Sequence, residues 1–328
     1  MKAFVLRSYG SPDALELTTV DRPVPGPGDV LVRVRAVSVQ PADWHLMRGQ
    51  PYLARLIPGP LGLRRPKVTV LGADLAGEVE AVGAGVTGFS PGDPVYAMPE
   101  QGGFAEYALV PAAELAPKPE NLTFEEAAAV PLAANTALIA LRDQARVQPG
   151  HRVLVIGASG GVGTFAVQLA KAFGAHVTGV CGPRNVEMVR SIGADEVVNY
   201  AKEDFTRQDS RYDVIVDNAG SHSALACRRV MTRKGVYVVI GGKAGRWVQP
   251  MGHFLGAPAL SPFVSQKMTA VDVIGCTENR RNLLQLTELI ESGKVIPVID
   301  RVYPFAEIPA ALRYSEAGHA AGKIVATV

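Results

Sequence analysis

Short segments of alternating polar and apolar residues, separated by turns, fill the first 120 positions of the chain. In the segment 30–37, Arg33 and Arg35 alternate with valines, which is the two-residue period of a strand with one buried face. The segment 77–82 alternates similarly, and clusters of glycine and proline stand between such segments. Frequent turns between short strands predict a small barrel-like or sandwich-like β domain.

From about residue 121 the pattern changes to apolar strands that alternate with helices. Thr123, followed three residues later by Glu126, predicts a capping box at a helix start. Apolar runs predict strands at 153–156, 176–180, 196–198, 213–216, 236–240 and 271–274, and helices at 164–173, 186–192 and 280–292. Strands that are buried on both faces and separated by helices are typical of a doubly wound parallel sheet, so the chain is expected to be an α/β protein.

Composition narrows the possible functions. The 328 residues suggest about two domains. Lys plus Arg is 33 and Asp plus Glu is 31, so the net charge of +2 argues against a broad nucleic-acid surface. No apolar stretch is long enough for a membrane span. The three cysteines are scattered and form no CxxC pair, which favours a cytoplasmic protein without disulfides.

The glycine-rich segment 157–163 lies between the predicted strand 153–156 and the helix expected from Thr164. Glycines there allow a tight turn and let backbone N–H groups approach a pyrophosphate at the helix N-terminus. The segment therefore predicts a bound dinucleotide. The predicted contacts in this loop are Ser159, Gly160, Gly161 and Val162.

The end of the second strand bears on the type of dinucleotide. An NAD site usually has a carboxylate there for the ribose 2′-OH, but this chain has none before Glu187. Cys181, Arg184 and Asn185 occupy the position instead, and the Arg184 guanidinium suits a 2′-phosphate. We therefore expect NADPH, although Arg184 as an ordinary solvated arginine stays open. Further predicted contacts follow the fourth and fifth strands, at Asn218 and Gly241.

Several motifs together resemble one family over essentially the whole chain. They are the segments 37–44, 71–79, 102–107, 130–137, 157–163 and 193–197. The chain resembles the medium-chain dehydrogenase/reductase superfamily, in its zinc-free, quinone oxidoreductase-like branch. The resemblance implies a GroES-like catalytic domain (1–120 and 277–328) and a six-stranded Rossmann domain (121–276), with the active site in the cleft between them.

The resemblance also implies catalytic residues. Gln40 stands where this branch commonly has Asn beside the nicotinamide and the substrate. Thr136 resembles a threonine that contacts the nicotinamide end, and Tyr52 a tyrosine that faces the substrate, or it is an ordinary loop tyrosine. Zinc-dependent relatives have Cys at the position of Gln40 and His at that of Ala73, so no metal is expected.

Three more cofactor contacts come from the same resemblance. Tyr200 resembles a tyrosine near the adenosine phosphate, whereas Gly182 replaces a Ser that NADPH-binding relatives often have. Phe263 and Lys323 resemble positions that close over the nicotinamide end.

The expected function is NADPH-dependent reduction of quinones, enones or enals. Two alternatives stay open, a reductase or dehydrogenase of one specialised metabolite and a non-catalytic NADPH-binding protein. The apolar segment 271–274 at the expected sheet edge also predicts a homodimer, since an exposed edge invites pairing with a second copy.

Overall fold

The computed structural model of the chain describes residues 1–57, 59–271 and 278–328. The chain divides into two compact units. The β-rich unit comprises Met1–Leu132, Cys276–Ser292 and Pro297–Val328, and the parallel-sheet unit comprises Ala133–Gly275 and Gly293–Ile296. The helix at Phe124–Ala128 packs on strands of the β-rich unit and is grouped with it, and the predicted domain boundaries stay a prediction.

The strands follow one another as expected from the alternating and apolar segments. In chain order they are β1 (Lys2–Leu6), β2 (Leu15–Thr19), β3 (Asp29–Val39), β4 (Leu75–Val82), β5 (Pro94–Ala97), β6 (Tyr107–Pro111), β7 (Leu115–Pro117), β8 (Arg152–Ile156), β9 (His176–Cys181), β10 (Glu196–Asn199), β11 (Tyr212–Asp217), β12 (Met231–Val239), β13 (Lys267–Ala270), β14 (Ile299–Pro304) and β15 (Lys323–Thr327).

The α-helices are α1 (Pro41–Arg48), α2 (Phe124–Ala128), α3 (Pro131–Leu138), α4 (Gly161–Ala172), α5 (Val186–Ser191), α6 (Ala224–Arg228), α7 (Met251–Leu260), α8 (Asn279–Glu291) and α9 (Ile308–Glu316). The predicted capping box is confirmed at α2, where Thr123 Oγ1 accepts from Glu126 N and Glu126 Oε2 accepts from Thr123 N. Within the three described ranges, no helix is long and apolar enough to cross a membrane.

The β-rich unit is built on a sheet of order β14-β15-β3-β4-β5-β7, with β6 also paired to β3. The strand β3 alternates between exposed arginines and buried valines over part of its length, as its sequence predicts. Its valines join a core that includes Phe104 and, from α9, Ile308 and Leu312. This arrangement confirms the expected β-rich domain.

The parallel-sheet unit has strand order β10-β9-β8-β11-β12-β13, and every pair in it is parallel. The central strand β8 is buried over Val153–Ile156 because helices cover both faces of such a sheet. The doubly wound α/β class is therefore confirmed.

The sixth strand differs in position from the prediction. It is β13, at Lys267–Ala270, and it precedes the predicted segment 271–274. Val271 follows the strand, and 272–274 lie outside the described residues. The homodimer that we inferred from this segment stays a prediction.

Candidate active site

Three neighbouring strands bring three distant residues to one corner of the β-rich unit. The strand β15 begins with Lys323, β3 ends one residue before Gln40, and β4 starts one residue after Asp74. Because β3 pairs antiparallel with both β15 and β4, these residues meet at the same end of the sheet.

Their side chains form a buried polar cluster, which we call the Gln40 cluster and which consists of Ser38, Gln40, Asp74 and Lys323. Lys323 Nζ donates to Gln40 Oε1 at 3.0 Å and to Asp74 Oδ2 at 3.3 Å. Ser38 Oγ donates to Asp74 Oδ2 at 2.6 Å, and Leu132 N donates to Asp74 Oδ1 at 2.8 Å. Burial raises the pKa of Asp74 despite Lys323 and these hydrogen bonds.

Gln40 is fixed by its main chain as well. It is the N-cap of α1, and its backbone N–H donates to Asp43 Oδ2 at 2.9 Å. Asp43 is fully buried, and burial raises its pKa to about 7. Gln40 Nε2 is buried and has no partner among the described residues, and the same holds for Trp44 Nε1. Buried N–H groups without acceptors are uncommon in folded proteins, so a bound ligand or a water is needed to satisfy them.

The other two predicted catalytic residues lie apart from this corner in the sequence. Tyr52 starts a 3₁₀ turn at Tyr52–Leu56, where the Arg55 guanidinium carbon lies 4.8 Å from the centre of its ring. Thr136 is buried in α3. Gln40 and Tyr52 belong to the β-rich unit, and Thr136 belongs to the parallel-sheet unit.

The glycine loop has the backbone that a pyrophosphate site requires. The helix α4 begins at Gly161 with Gly160 as its N-cap, three residues earlier than predicted. Gly157 has a φ of 74°, and a Cβ at Gly163 would lie 2.1 Å from Gly157 O. Only glycine allows the helix to approach the strand so closely, and the first N–H groups of α4 have no acceptor within the helix. The loop therefore fits a dinucleotide.

The predicted adenosine-side residues lie at the carboxyl ends of β9 and β10. Tyr200 N donates to Cys181 O at 3.1 Å, which places Tyr200 beside the end of β9. A Cβ at Gly182 would lie 2.8 Å from the Tyr200 hydroxyl oxygen, so the tyrosine fills the space over this glycine. Arg184, in the next 3₁₀ turn together with Asn185, is exposed and has no ion-pair partner among the described residues.

Asn218 and Gly241 lie at the same edge of the sheet. Asn218 Nδ2 donates to Ile156 O at 3.0 Å, next to the glycine loop, and a Cβ at Gly241 would lie 2.4 Å from Asn218 O. Asn218 Oδ1 is buried and has no donor among the described residues. This acceptor is available to a ligand that carries a hydroxyl or an amide.

Asp217, the last residue of β11, holds the loop that carries Asn218. Its Oδ1 accepts from the N–H groups of Ala219 and Gly220, and its Oδ2 accepts from the Tyr237 hydroxyl at 2.5 Å. Burial opposes its ionisation, but His253, Tyr237 and the two N–H groups outweigh burial and lower its pKa. Sequence analysis missed this residue, although an aspartate that ends an apolar strand was a usable signal.

The remaining predicted cofactor contacts are Phe263 and Lys323. Phe263 precedes β13, which runs parallel to β12, so it lies at the amino edge of the sheet, opposite Gly241. The helix α7 carries the chain back to that edge, and the contact of Phe263 with the nicotinamide end stays a prediction. Lys323 is buried in the Gln40 cluster, where both of its described acceptors are protein groups.

The Gln40 cluster also bears on metal binding. In the part of the chain that the structure describes, no group of three or more His, Cys, Asp or Glu residues could hold a metal ion. The family resemblance implies that Gln40 and Ala73 stand at the positions of zinc ligands in zinc-dependent relatives. The Asp74 carboxylate already accepts from Lys323, Ser38 and Leu132, so the residues present do not fit a zinc ion.

Two family models match the chain. The alcohol dehydrogenase GroES-like domain matches residues 26–120, and a domain described as zinc-binding dehydrogenase matches residues 192–325. Together they cover parts of both units.

Curated relatives match nearly the whole chain. A mitochondrial NAD(P)H oxidoreductase of Mus musculus, RTN4IP1, is 33% identical and is matched over 100% of this chain and 89% of its own length. A chloroplast envelope quinone oxidoreductase homolog of Arabidopsis thaliana is 34% identical, over 99% and 98%. A chloroplastic NADPH-dependent alkenal/one oxidoreductase of Arabidopsis thaliana is also 34% identical, over 99% and 79%.

Solved structures share the fold over the full length. The quinone oxidoreductase from Coxiella burnetii has a TM-score of 0.86, with 27% identity and coverage of 100% of this chain and 99% of that chain. A mycobacterial protein solved in complex with NADPH has a TM-score of 0.84, with 26% identity and 100% coverage of both chains. The chain therefore belongs to the medium-chain dehydrogenase/reductase superfamily, in its quinone oxidoreductase-like branch, and is an oxidoreductase that uses a nicotinamide cofactor.

Proposed function

We propose that the chain is a zinc-independent, NADPH-dependent reductase of quinones and α,β-unsaturated carbonyl compounds. The observation that carries the proposal is the Gln40 amide, whose Nε2 is a buried donor without an acceptor in the part of the chain that the structure describes. A carbonyl oxygen of a bound acceptor would satisfy it. Relatives that are named quinone oxidoreductase and alkenal/one oxidoreductase support this acceptor class.

The preference for NADPH rests on the end of β9. Cys181 stands where an NAD site would carry a carboxylate, and burial raises the pKa of its thiol, so this position adds no negative charge. Arg184 supplies an exposed guanidinium without an ion-pair partner in the described residues, and such a group suits a 2′-phosphate. The Tyr200 hydroxyl, over Gly182, offers a donor in place of the serine of many NADPH-binding relatives.

The cofactor supplies a hydride and is oxidised. In an enone the hydride adds to the β-carbon and a proton adds to the α-carbon, whereas a quinone gains two electrons and two protons. The residues of the chain orient the acceptor and donate hydrogen bonds to the oxygen that becomes negative. Gln40 is the proposed donor, and Tyr52 or a water is the proposed source of the proton.

The proposed acceptor choice follows from the Gln40 cluster, whose described residues do not fit a zinc ion. Zinc-dependent relatives polarise a ketone oxygen with the metal. Here Lys323 and Asp74 form a buried ion pair, which offers the acceptor no uncompensated positive charge. Conjugated acceptors need less help, because their negative charge delocalises as an enolate or a hydroquinone anion.

The test is NADPH oxidation by purified, chelator-treated enzyme with cyclohexenone, its saturated analogue cyclohexanone, and menadione. We expect turnover of cyclohexenone and menadione to exceed that of cyclohexanone by about tenfold or more. Elemental analysis run in parallel should find no zinc that activity depends on. Faster turnover of cyclohexanone, or activity that is lost with a stoichiometric zinc, would overturn the proposal.

A further inference from the structure

The Gln40 side chain has a defined orientation because of its neighbour. Its Oε1 accepts from Lys323 Nζ at 3.0 Å. A lysine ammonium is a donor and cannot accept a hydrogen bond. If the amide were rotated by half a turn, Nε2 would face Nζ and two donors would meet. The contact therefore fixes Oε1 on the Lys323 side and leaves Nε2 as the end that has no partner among residues 1–57, 59–271 and 278–328.

Lys323 is in turn held by the cluster. Only 4% of Lys323 is exposed, and Asp74 is fully buried beside it. Both oxygens of Asp74 are engaged, Oδ2 by Ser38 and Oδ1 by Leu132 N, so the carboxylate has little freedom to move. The chain of contacts from Asp74 through Lys323 to Gln40 makes one orientation of the amide much more stable than the other.

We propose that Lys323 is a positioning residue that sets which end of the Gln40 amide meets the ligand, so that Gln40 acts as a hydrogen-bond donor to an acceptor's carbonyl oxygen. This inference rests on the proposed function, because the ligand oxygen is that of the enone or quinone. It assigns Lys323 a role different from direct cofactor binding, the role that the sequence resemblance implied.

The two roles of Lys323 differ in what they change. A residue that binds the cofactor alters the NADPH dissociation constant, and its effect persists whatever stands at position 40. A residue that acts through Gln40 alters kcat with the acceptor, and its effect disappears when the amide is gone.

The experiment is a double-mutant cycle with Lys323→Met, Gln40→Met and the combined variant. We expect each single substitution to lower kcat for cyclohexenone about tenfold to a hundredfold. The combined variant should be no slower than Gln40→Met alone. The NADPH dissociation constant, measured by the fluorescence of the bound nicotinamide, should change less than about twofold in Lys323→Met.

Gln40→Glu is the matched control for the donor. Its carboxylate can still accept from Lys323 Nζ, but its other oxygen is an acceptor and not a donor. It should therefore lose as much kcat as Gln40→Met. Multiplicative losses in the combined variant, a parallel weakening of NADPH binding in Lys323→Met, or full activity of Gln40→Glu would overturn the assignment.

A second measurement keeps the inference testable if Lys323→Met does not fold or if no acceptor is reduced. Neutron diffraction from deuterium-exchanged crystals of the wild-type protein shows directly which end of an amide carries hydrogen. Deuterium on the atom that faces away from Lys323 is the expected result, and deuterium on the atom that faces Lys323 would overturn the inference. Inactivity with every acceptor, combined with the expected deuterium positions, would refute the proposed function and leave the orientation intact.

Discussion

Replacing Asp43 by Asn should stabilise the protein at neutral and alkaline pH but not at acidic pH. Asp43 is fully buried in the first turn of α1. Burial raises its pKa to about 7, and Asp74 adds to this effect, whereas the hydrogen bond from the Gln40 backbone and the charge of Lys323 oppose it. The folded chain thus holds a proton that the unfolded chain releases near pH 4.

The sign follows from proton linkage. Between about pH 4 and about pH 7 the folded state binds more protons than the unfolded state, so the free energy of unfolding falls as the pH rises. The slope is at most about 1.4 kcal/mol per pH unit, which gives an upper limit of about 4 kcal/mol over the whole window. Above about pH 7 the loss is complete.

Asn at position 43 can still accept the Gln40 N–H but has no proton to lose in this range. Between pH 5 and pH 8 we therefore expect Asp43→Asn to gain about 2–3 kcal/mol relative to wild type. Urea unfolding at several pH values measures this difference. Trp44, buried beside Asp43, reports on the β-rich unit if the only other tryptophan, Trp247, is changed to Phe in both proteins.

A constant difference between the two proteins from pH 5 to pH 8 would refute the reasoning, as would a difference that shrinks with rising pH. Asp93→Asn is the matched control. Asp93 accepts from Ser90 N at 2.7 Å in the same three-residue spacing, but in a solvent-accessible turn. It therefore reports the effect of the amide substitution itself.

Two further substitutions test the cofactor site. Arg184→Ala should raise the NADPH Michaelis constant about tenfold to a hundredfold and leave that of NADH nearly unchanged, since a hydrogen bond to a charged group is worth about 1.5–3 kcal/mol. Steady-state kinetics measure both Michaelis constants. Arg190→Ala is the control for the loss of a positive charge. Equal effects on both cofactors would contradict the assignment. Gly163→Ala should lower the melting temperature and abolish cofactor binding, because its Cβ would lie 2.1 Å from Gly157 O. Gly256→Ala, whose Cβ meets nothing within 4 Å, is the control, and equal melting temperatures would contradict this reading.

The parts of the fold that the sequence predicts best are those with local signals. The apolar run of β8 is followed directly by the glycines of a tight turn, so both are predictable from adjacent residues. The capping box at α2 depends on only two residues, which are three positions apart. The start of α4 was placed three residues late, at Thr164, because Gly161 has low helix propensity yet begins the helix.

The edge of the parallel sheet was harder to predict. The helix α7 contains Gly252, Gly256 and Pro258, so its sequence has no clear helical period. Because α7 was not predicted, the sequence did not show at which edge of the sheet the chain enters the sixth strand. The place of Phe263 before β13 could therefore not be predicted, and the sixth strand was expected at 271–274, whereas β13 lies at Lys267–Ala270.

The Gln40 cluster could not be predicted as a unit, because it depends on strand pairing between distant segments. Lys323 is 283 positions from Gln40 and 249 from Asp74, and only the register of β15, β3 and β4 brings them together. Gln40 and Lys323 were each expected at the site from family resemblance. Their contact with one another was not.

The contact between Gln40 and Lys323 has a consequence for the choice of acceptor, because the net charge of the Gln40 cluster affects which anions it would stabilise. A zinc ion would bring two positive charges to the corner, whereas Lys323 brings one and Asp74 balances it. Asp43, with a pKa of about 7, is partly protonated at neutral pH and so adds less than a full negative charge. Under the proposed function, the group that contacts the acceptor is the Gln40 amide, a neutral donor. A single neutral donor supplies less stabilisation to a localised alkoxide than a metal dication would, and an anion that is already delocalised needs less. Under the proposed function, this ion pair would therefore favour conjugated acceptors over simple ketones.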